Sequence, residues 1–240
     1  MLENLNAEEI VFIDIETVPA ARQFDELTPE WQKHWEHKMK FQIQEGEKAG
    51  DIYERAGIYA EFGRIICISA GYIFRKKNEF YYKVKSFNHP DEKQLLSDFF
   101  NAFVLFERAG RKRLCAHNGQ EFDYPYISRR AIVNGLPVPR ILDIAGSKPW
   151  DVKEQLIDTL QLWKFGDYKH YTSLALLCSL FGIPTPKDEM DGSQVARVYY
   201  DENDLEKITR YCEKDTLAVA NLLLKYKGMP IIEAEYMEVV

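Results

Sequence analysis

The sequence has no run approaching the roughly 20 apolar residues that a membrane-spanning helix needs; its longest apolar stretch is IICISAGYIF. The start, MLENLNAEE, lacks the basic residues and apolar core of a secretory leader, so a cytoplasmic location is expected. Cys67, Cys115, Cys178 and Cys212 show no C-x-x-C spacing, which argues against a zinc site or a disulfide framework and leaves four buried thiols. Positive charge is also in short supply. Lys plus Arg number 31 against 38 Asp plus Glu, a net charge of -7, so no global attraction to nucleic acid exists. A polyanionic partner would have to be held by local basic patches or by bound cations. There is no internal repeat and no low-complexity segment.

What is present is the composition of an ordinary globular chain. With 46% hydrophobic, 29% charged and 13% aromatic residues over 240 positions, it can build one well-cored domain, or one domain carrying an insertion. Residues 9–16, 64–74 and 79–86 read as strands, the last with clear alternation. Between the first two lies a polar, helix-prone, aromatic-rich segment at about 20–60, read as a helical insertion. An amphipathic helix follows at 91–107, with Leu95, Leu96, Phe99, Phe103 and Phe106 on its apolar side. KRLCAH then reads as a short strand, PYISRRAIVNG as a helix stopped by Gly135, and RILDIAG as another strand. Helices are expected at about 151–164, 172–181 and 203–226, the last capped by Asp201 or Asn203 and ended at Gly228. The pattern predicts an α/β fold with a central mixed β-sheet flanked by helices.

The stretch EEIVFIDIETVPAAR poses a chemical question. Residues two apart on a strand share a face, so Asp14 and Glu16 point the same way out of an apolar run. Two ionised carboxylates there repel each other and lose their hydration unless something positive compensates them. The alternative is a solvated pair where the strand frays into the Thr17-Val18-Pro19 turn. On the last helix, Asp215 falls within the apolar stripe of Leu205, Ile208, Cys212, Val219, Leu222, Leu223 and Tyr226, with Tyr211 one turn earlier. The alternative is a salt bridge or a hydrogen bond to the sheet. In LCAHNGQEFDYPYISRR, a strand delivers His117 and Asn118 into a loop, and Asp123 stands where a helix cap would stand. If the compensating charge is a metal, clustered carboxylates suit Mg²⁺ or Mn²⁺ rather than zinc.

At these residues the chain resembles the DEDD superfamily of 3′-to-5′ exonucleases, which has a ribonuclease H-like fold. FIDIETVP is similar to its first motif, AHNGQEFDYPYI to its second and YCEKD to its third. The Tyr-x-x-x-Asp form of the last motif resembles the tyrosine branch. Within the superfamily the likeness is to the proofreading exonuclease domains of family-B DNA polymerases, in their group of predicted stand-alone relatives. SLALLCSLFGIPTPKDEMDGSQVARVYY resembles that group's stretch ahead of the third motif. The likeness covers nearly the whole chain, residues 20–60 least. It implies one exonuclease-like domain over residues 1–240.

The resemblance implies catalytic residues Asp14, Glu16, Asp123, Tyr211 and Asp215, and two divalent cations, Mg²⁺ or Mn²⁺. Asp14, Glu16 and Asp215 would hold the first, Asp14 would bridge to the second, and Asp123 would act mostly through water. Tyr211, with an ordinary pKa near 10, would orient the attacking water rather than act as its base. Thr17, His117, Asn118 and Phe122 are expected to meet the substrate, the 3′ end of a nucleic acid, with single-stranded DNA favoured and RNA possible. Asp158 falls where relatives place a substrate-side or structural acid. The basic groups available for phosphates are Arg111, Lys112, Arg113, Arg129, Arg130, Lys164, Lys169 and His170, although such runs are more often solvated faces. Segment 20–60 is a possible contact for a protein partner. No polymerase region follows Val240, so any proofreading is expected to serve another chain. Two other readings remain open: a catalytically silent binding or accessory module, and a phosphatase of small phosphoesters.

Overall fold

The computed structural model describes residues 2–148, 152, 154–167, 171–184 and 190–240. Among these, six strands form one mixed sheet in the order β5-β4-β1-β2-β3-β6. They are β1 (Ile10–Pro19), β2 (Gly63–Lys76), β3 (Glu79–Phe87), β4 (Arg113–Ala116), β5 (Leu156–Asp158) and β6 (Met237–Val239). β1, β2 and β3 run antiparallel in sequence, whereas β4 lies parallel to β1, β5 parallel to β4, and β6 parallel to β3.

The apolar run in β1 is explained by cover on both faces. Val11, Ile13 and Ile15 pack under α2 (Glu92–Arg108) and α3 (Asp123–Val133), with Leu95, Phe99, Tyr124 and Ile127. Ile10 and Phe12 turn the other way, against Leu217, Val219, Ala220 and Leu223 of the long helix α7 (Leu205–Tyr226). Alternation continues beyond Ile13, so Asp14 and Glu16 emerge on the α7 side. A bulge interrupts the β1–β2 register between Glu16 and Thr17, at the point where the acidic pair ends.

Segment 20–60 carries α1 (Pro29–Met39) and a 3₁₀ helix at Ala49–Ile58, and closes over its own cluster of Trp35, Met39, Ile52, Tyr53 and Phe62. Thr28 caps α1 by accepting from the Trp31 amide at 3.4 Å, with Pro29 at the first helical position.

Three expectations need correction. RILDIAG forms no strand: Arg140–Leu142 is a single 3₁₀ turn, because the sheet edge beside β4 is taken by Leu156–Asp158. The helix expected at about 151–164 is instead β5 followed by α4 (Thr159–Lys164), whose cap is Asp158; positions 151 and 153 lie outside the described residues. α7 is capped by Asp204 rather than Asp201 or Asn203, since Val198–Glu202 forms a π-helical turn and Asn203 turns left-handed at φ 52°. The short helices α5 (Leu174–Phe181) and α6 (Val195–Arg197) complete the described helices. All four cysteines are buried free thiols.

Candidate active site

Four acids from three elements converge where β1 leaves the sheet. Asp14 and Glu16 come from β1, Asp123 from the first turn of α3, and Asp215 from the inner side of α7. Their charges act on one another. Burial, with the charges of Asp215 and Asp123 behind it, holds the Asp14 carboxyl well above the usual range. Burial and then Asp14 and Asp215 do the same to Glu16, which is only 7% exposed. Asp123, 3% exposed, is pushed up to about 7, chiefly by burial and partly offset by its own backbone amide and that of Ile15. Among the described residues, the charges that push these three carboxyls up are those of Asp14, Asp123, Asp158, Asp215 and Cys67.

Asp14 Oδ2 is sealed from solvent and has no hydrogen-bond partner among the described residues. A buried carboxylate oxygen normally finds a donor, so this atom marks a place prepared for something positive. Asp14, Glu16 and Cys212 offer donor atoms all within 4.8 Å of one another. Cys212 is a poor third ligand for a hard cation. Its thiol donates to the Asp14 carbonyl at 3.4 Å, and burial raises its pKa, with Cys67 and the Asp14 and Glu16 charges adding to the effect. The remaining oxygen donors within reach of the pair's charges are Asp123 and Asp215.

Tyr211, buried on α7, shares a hydrogen bond with Asp215 one turn later. Burial, followed by the Asp215, Glu16 and Asp14 charges, drives its phenol far above its ordinary pKa, so the hydroxyl remains neutral.

The loop after β4 is shaped by Asp158. Its carboxylate caps α4 through the amide of Leu160 at 2.9 Å, and it also accepts from the amides of Asn118 at 2.9 Å and Gln120 at 3.1 Å. Asn118 is thereby held left-handed at φ 63°, with its own Oδ1 buried and unpartnered. Both ring nitrogens of His117 are engaged: Nε2 donates to the Thr172 carbonyl and Nδ1 accepts from the Thr159 hydroxyl, each at 2.9 Å. Burial lowers the His117 pKa. Phe122 precedes α3 and packs on Tyr126 with ring centroids 5.3 Å apart.

Two clefts flank the acids. One, of about 160 Å³, includes Tyr171, Tyr211 and Asp215 in its lining. The other, of about 370 Å³, includes Glu16, Thr17 and Phe122, together with residues of the 49–58 helix. Among the described residues, Arg111, Lys112, Arg113, Arg129, Arg130 and Lys164 line neither cleft. Arg130 is buried in a bidentate pair with Glu92, Arg113 pairs with Glu9, and Arg111 lies 3.6 Å from the Tyr72 ring centre. Lys169 and His170 lie outside the described residues. Sequence patterning had offered no signal for the Asp158 clamp on two loop amides, or for the contribution of the 49–58 helix to a cleft.

The mixed six-stranded sheet with helices on both faces is the α/β, ribonuclease H-like fold. A solved family B DNA polymerase from the hyperthermophilic archaeon Pyrobaculum calidifontis shares it, with a TM-score of 0.56 and 16% identity over 91% of this chain. The chain spans 24% of that polymerase. Residues 58–236 match the family described as predicted 3′-5′ exonucleases related to the exonuclease domain of PolB, and the chain belongs to that family. No curated protein matches the chain. Among the described residues, no helix is long and apolar enough to cross a membrane.

Proposed function

We propose that the chain is a divalent-cation-dependent 3′-to-5′ exonuclease of the tyrosine branch of the DEDD superfamily. Its substrate would be the 3′ end of single-stranded or frayed nucleic acid, DNA favoured over RNA. The observation that carries this reading is Asp14 Oδ2, sealed and unpartnered among the described residues, inside a cluster of acids whose charges raise one another's pKa.

The donor set fits hard cations: Asp14, Glu16, Asp123 and Asp215 would hold Mg²⁺ or Mn²⁺ through oxygen. When bound, the ions would neutralise the cleft against a phosphodiester, activate water and stabilise the leaving 3′-oxygen. The chain's own groups supply position. Tyr211, a neutral hydroxyl hydrogen-bonded to Asp215, orients the attacking water, and its raised pKa disqualifies it as a general base. Phe122 and Thr17, at the second cleft, are suited to the terminal nucleotide, and Asn118, whose Oδ1 is buried without a partner among the described residues, stands in the loop beside Asp123. His117, with both nitrogens committed, serves the reaction by keeping the loop in place.

The test is incubation of 5′-labelled single-stranded DNA and matched RNA with Mg²⁺ or Mn²⁺, beside chelator and Asp14→Asn controls. A metal-dependent ladder shortening from the 3′ end, absent in the variant, is expected. Binding without cleavage under every metal condition would transfer the reading to an accessory module.

A further inference from the structure

Part of the lining of the second cleft comes from the Ala49–Ile58 helix. Glu54, Arg55, Gly57 and Ile58 line the cleft together with Glu16, Thr17 and Phe122. Glu16 belongs at once to this cleft and to the acidic cluster, so a molecule seated here touches the reacting region.

The wall is fixed in place. Gly57 lies so close to β1 that a Cβ on it would meet the Val18 backbone at 3.2 Å, and its carbonyl accepts from the Tyr126 hydroxyl at 2.8 Å. Behind it, Arg130 donates to the Ala60 carbonyl at 2.9 Å. On this rigid support, Ile58 leaves 51% of its surface exposed. Burying apolar surface there needs an apolar occupant. Arg55 is exposed, engaged by no hydrogen bond or ion pair among the described residues, and the single cation in the lining. The cleft's volume of about 370 Å³ falls within the range of ligand sites, about 300–1,000 Å³.

An apolar slot, one free guanidinium at its rim and an acidic cluster at its end together suit a base attached to a phosphate. We propose that the Ala49–Ile58 helix is a substrate-gripping element: Ile58 and Phe122 clasp the base of the 3′-terminal nucleotide, and Arg55 holds the neighbouring backbone phosphate. This rests on the exonuclease reading, and it gives the segment a role in substrate binding rather than in docking a protein.

The experiment uses the full chain with Arg55→Ala, Arg55→Lys and Ile58→Ser, all at exposed positions. Binding is read by fluorescence anisotropy on oligo(dT) ending in a phosphorothioate linkage, and turnover on the unmodified oligonucleotide. Arg55→Ala should weaken binding about tenfold and reduce the slope of log affinity against log salt by about one. KM should rise while kcat stays within about twofold, and Arg55→Lys should restore most of the loss. Ile58→Ser should weaken binding about fivefold with the salt slope unchanged. Variants that bind and cleave like the wild type, beside an inactive Asp14→Asn, would overturn the cleft assignment and leave the exonuclease intact. A wild-type chain that binds through Arg55 yet cleaves nothing would do the reverse. A chain that neither binds nor cleaves overturns both.

Discussion

Asp158 holds the backbone amide of Asn118 at 2.9 Å while its same Oδ1 caps α4 through Leu160. One side chain at the end of β5 thus joins the helix that follows it to the loop that leaves β4, forty residues earlier in sequence. The carboxylate is 2% exposed, the Leu160 amide it serves is buried, and the Asn118 and Gln120 amides are half-buried. Asp158→Ala should cost about 2–4 kcal/mol, the sum of a lost cap and unsatisfied buried amides. Chemical denaturation measures it. Binding of Mg²⁺, followed by calorimetry, should survive in the folded fraction, because Asp158 spends its oxygens on the loop and helix amides and touches the acidic cluster only through its charge on Asp123.

Asp14→Asn should separate activity from stability. The amide keeps the shape of the carboxylate but removes one of the charges that burial and Asp215 make unfavourable. In chelator near neutral pH the variant should be more stable than the wild type by about 1–2 kcal/mol, since the amide needs neither the proton that the raised Asp14 carboxyl takes up on folding nor the burial of a charge. Turnover should fall by about 10³-fold or more, as for loss of a group that organises charge in the transition state. A variant less stable than the wild type in chelator would show that the Asp14 charge is already balanced within the chain.

Much of the frame was legible in the residues. The doubly covered run around Phe12, the alternation of β3 and the stripe through Ile208, Cys212 and Val219 each carry a period that packing then uses. Short pieces were not legible. Leu156–Asp158 is three residues, too few to show a strand period, and it runs directly into helical spacing. Ile141 and Leu142 are buried like strand residues but by a lone turn, so apolar content alone misled. The acidic positions were visible as breaks in apolar patterns: Asp14 and Glu16 in a strand, Asp215 in a stripe. Asp158 was not, because its partners are backbone amides far away in sequence. Arg55 was equally silent, since an exposed arginine in a polar helix looks like any solvated charge.

Removal of divalent cations should have a pH-dependent cost. The folded-state pKa of Asp123 is raised from 3.8 to about 7, and those of Asp14 and Glu16 are raised too. A raised carboxyl binds a proton in the folded chain that the unfolded chain has released. Its stabilisation is therefore complete below the unfolded value and lost as pH rises through the folded one. On the Asp123 shift alone, the metal-free chain should lose stability progressively as pH rises from about 4 to about 7. His117, lowered by burial, acts in the opposite direction only below its ordinary 6.5. Cations bind the deprotonated acids, so Mg²⁺ at a hundred times its Kd should add about 2.7 kcal/mol at the upper pH and markedly less at the lower. Thermal melts with Mg²⁺ and with chelator at both values read this directly; an equal Mg²⁺ effect at both would disconnect cation binding from these carboxyls.

Tyr211→Phe tests how the phenol acts. The hydroxyl is kept neutral by burial and by the three nearby acids, so it can lend a hydrogen bond but cannot take up a proton from water near neutrality. Removing it should lower kcat by about 10–100-fold, the cost of a misplaced reactant rather than of a lost base. KM should barely move, because the ring remains in the wall of the cleft beside Asp215. The discriminating readout is the pH profile. A general base would leave its own ionisation on the rate, and the variant would lose that limb; an orienting group leaves no limb to lose. The kcat profiles of the variant and the wild type should therefore run parallel from about pH 6 to pH 9. Profiles that diverge would assign the proton transfer to Tyr211 itself.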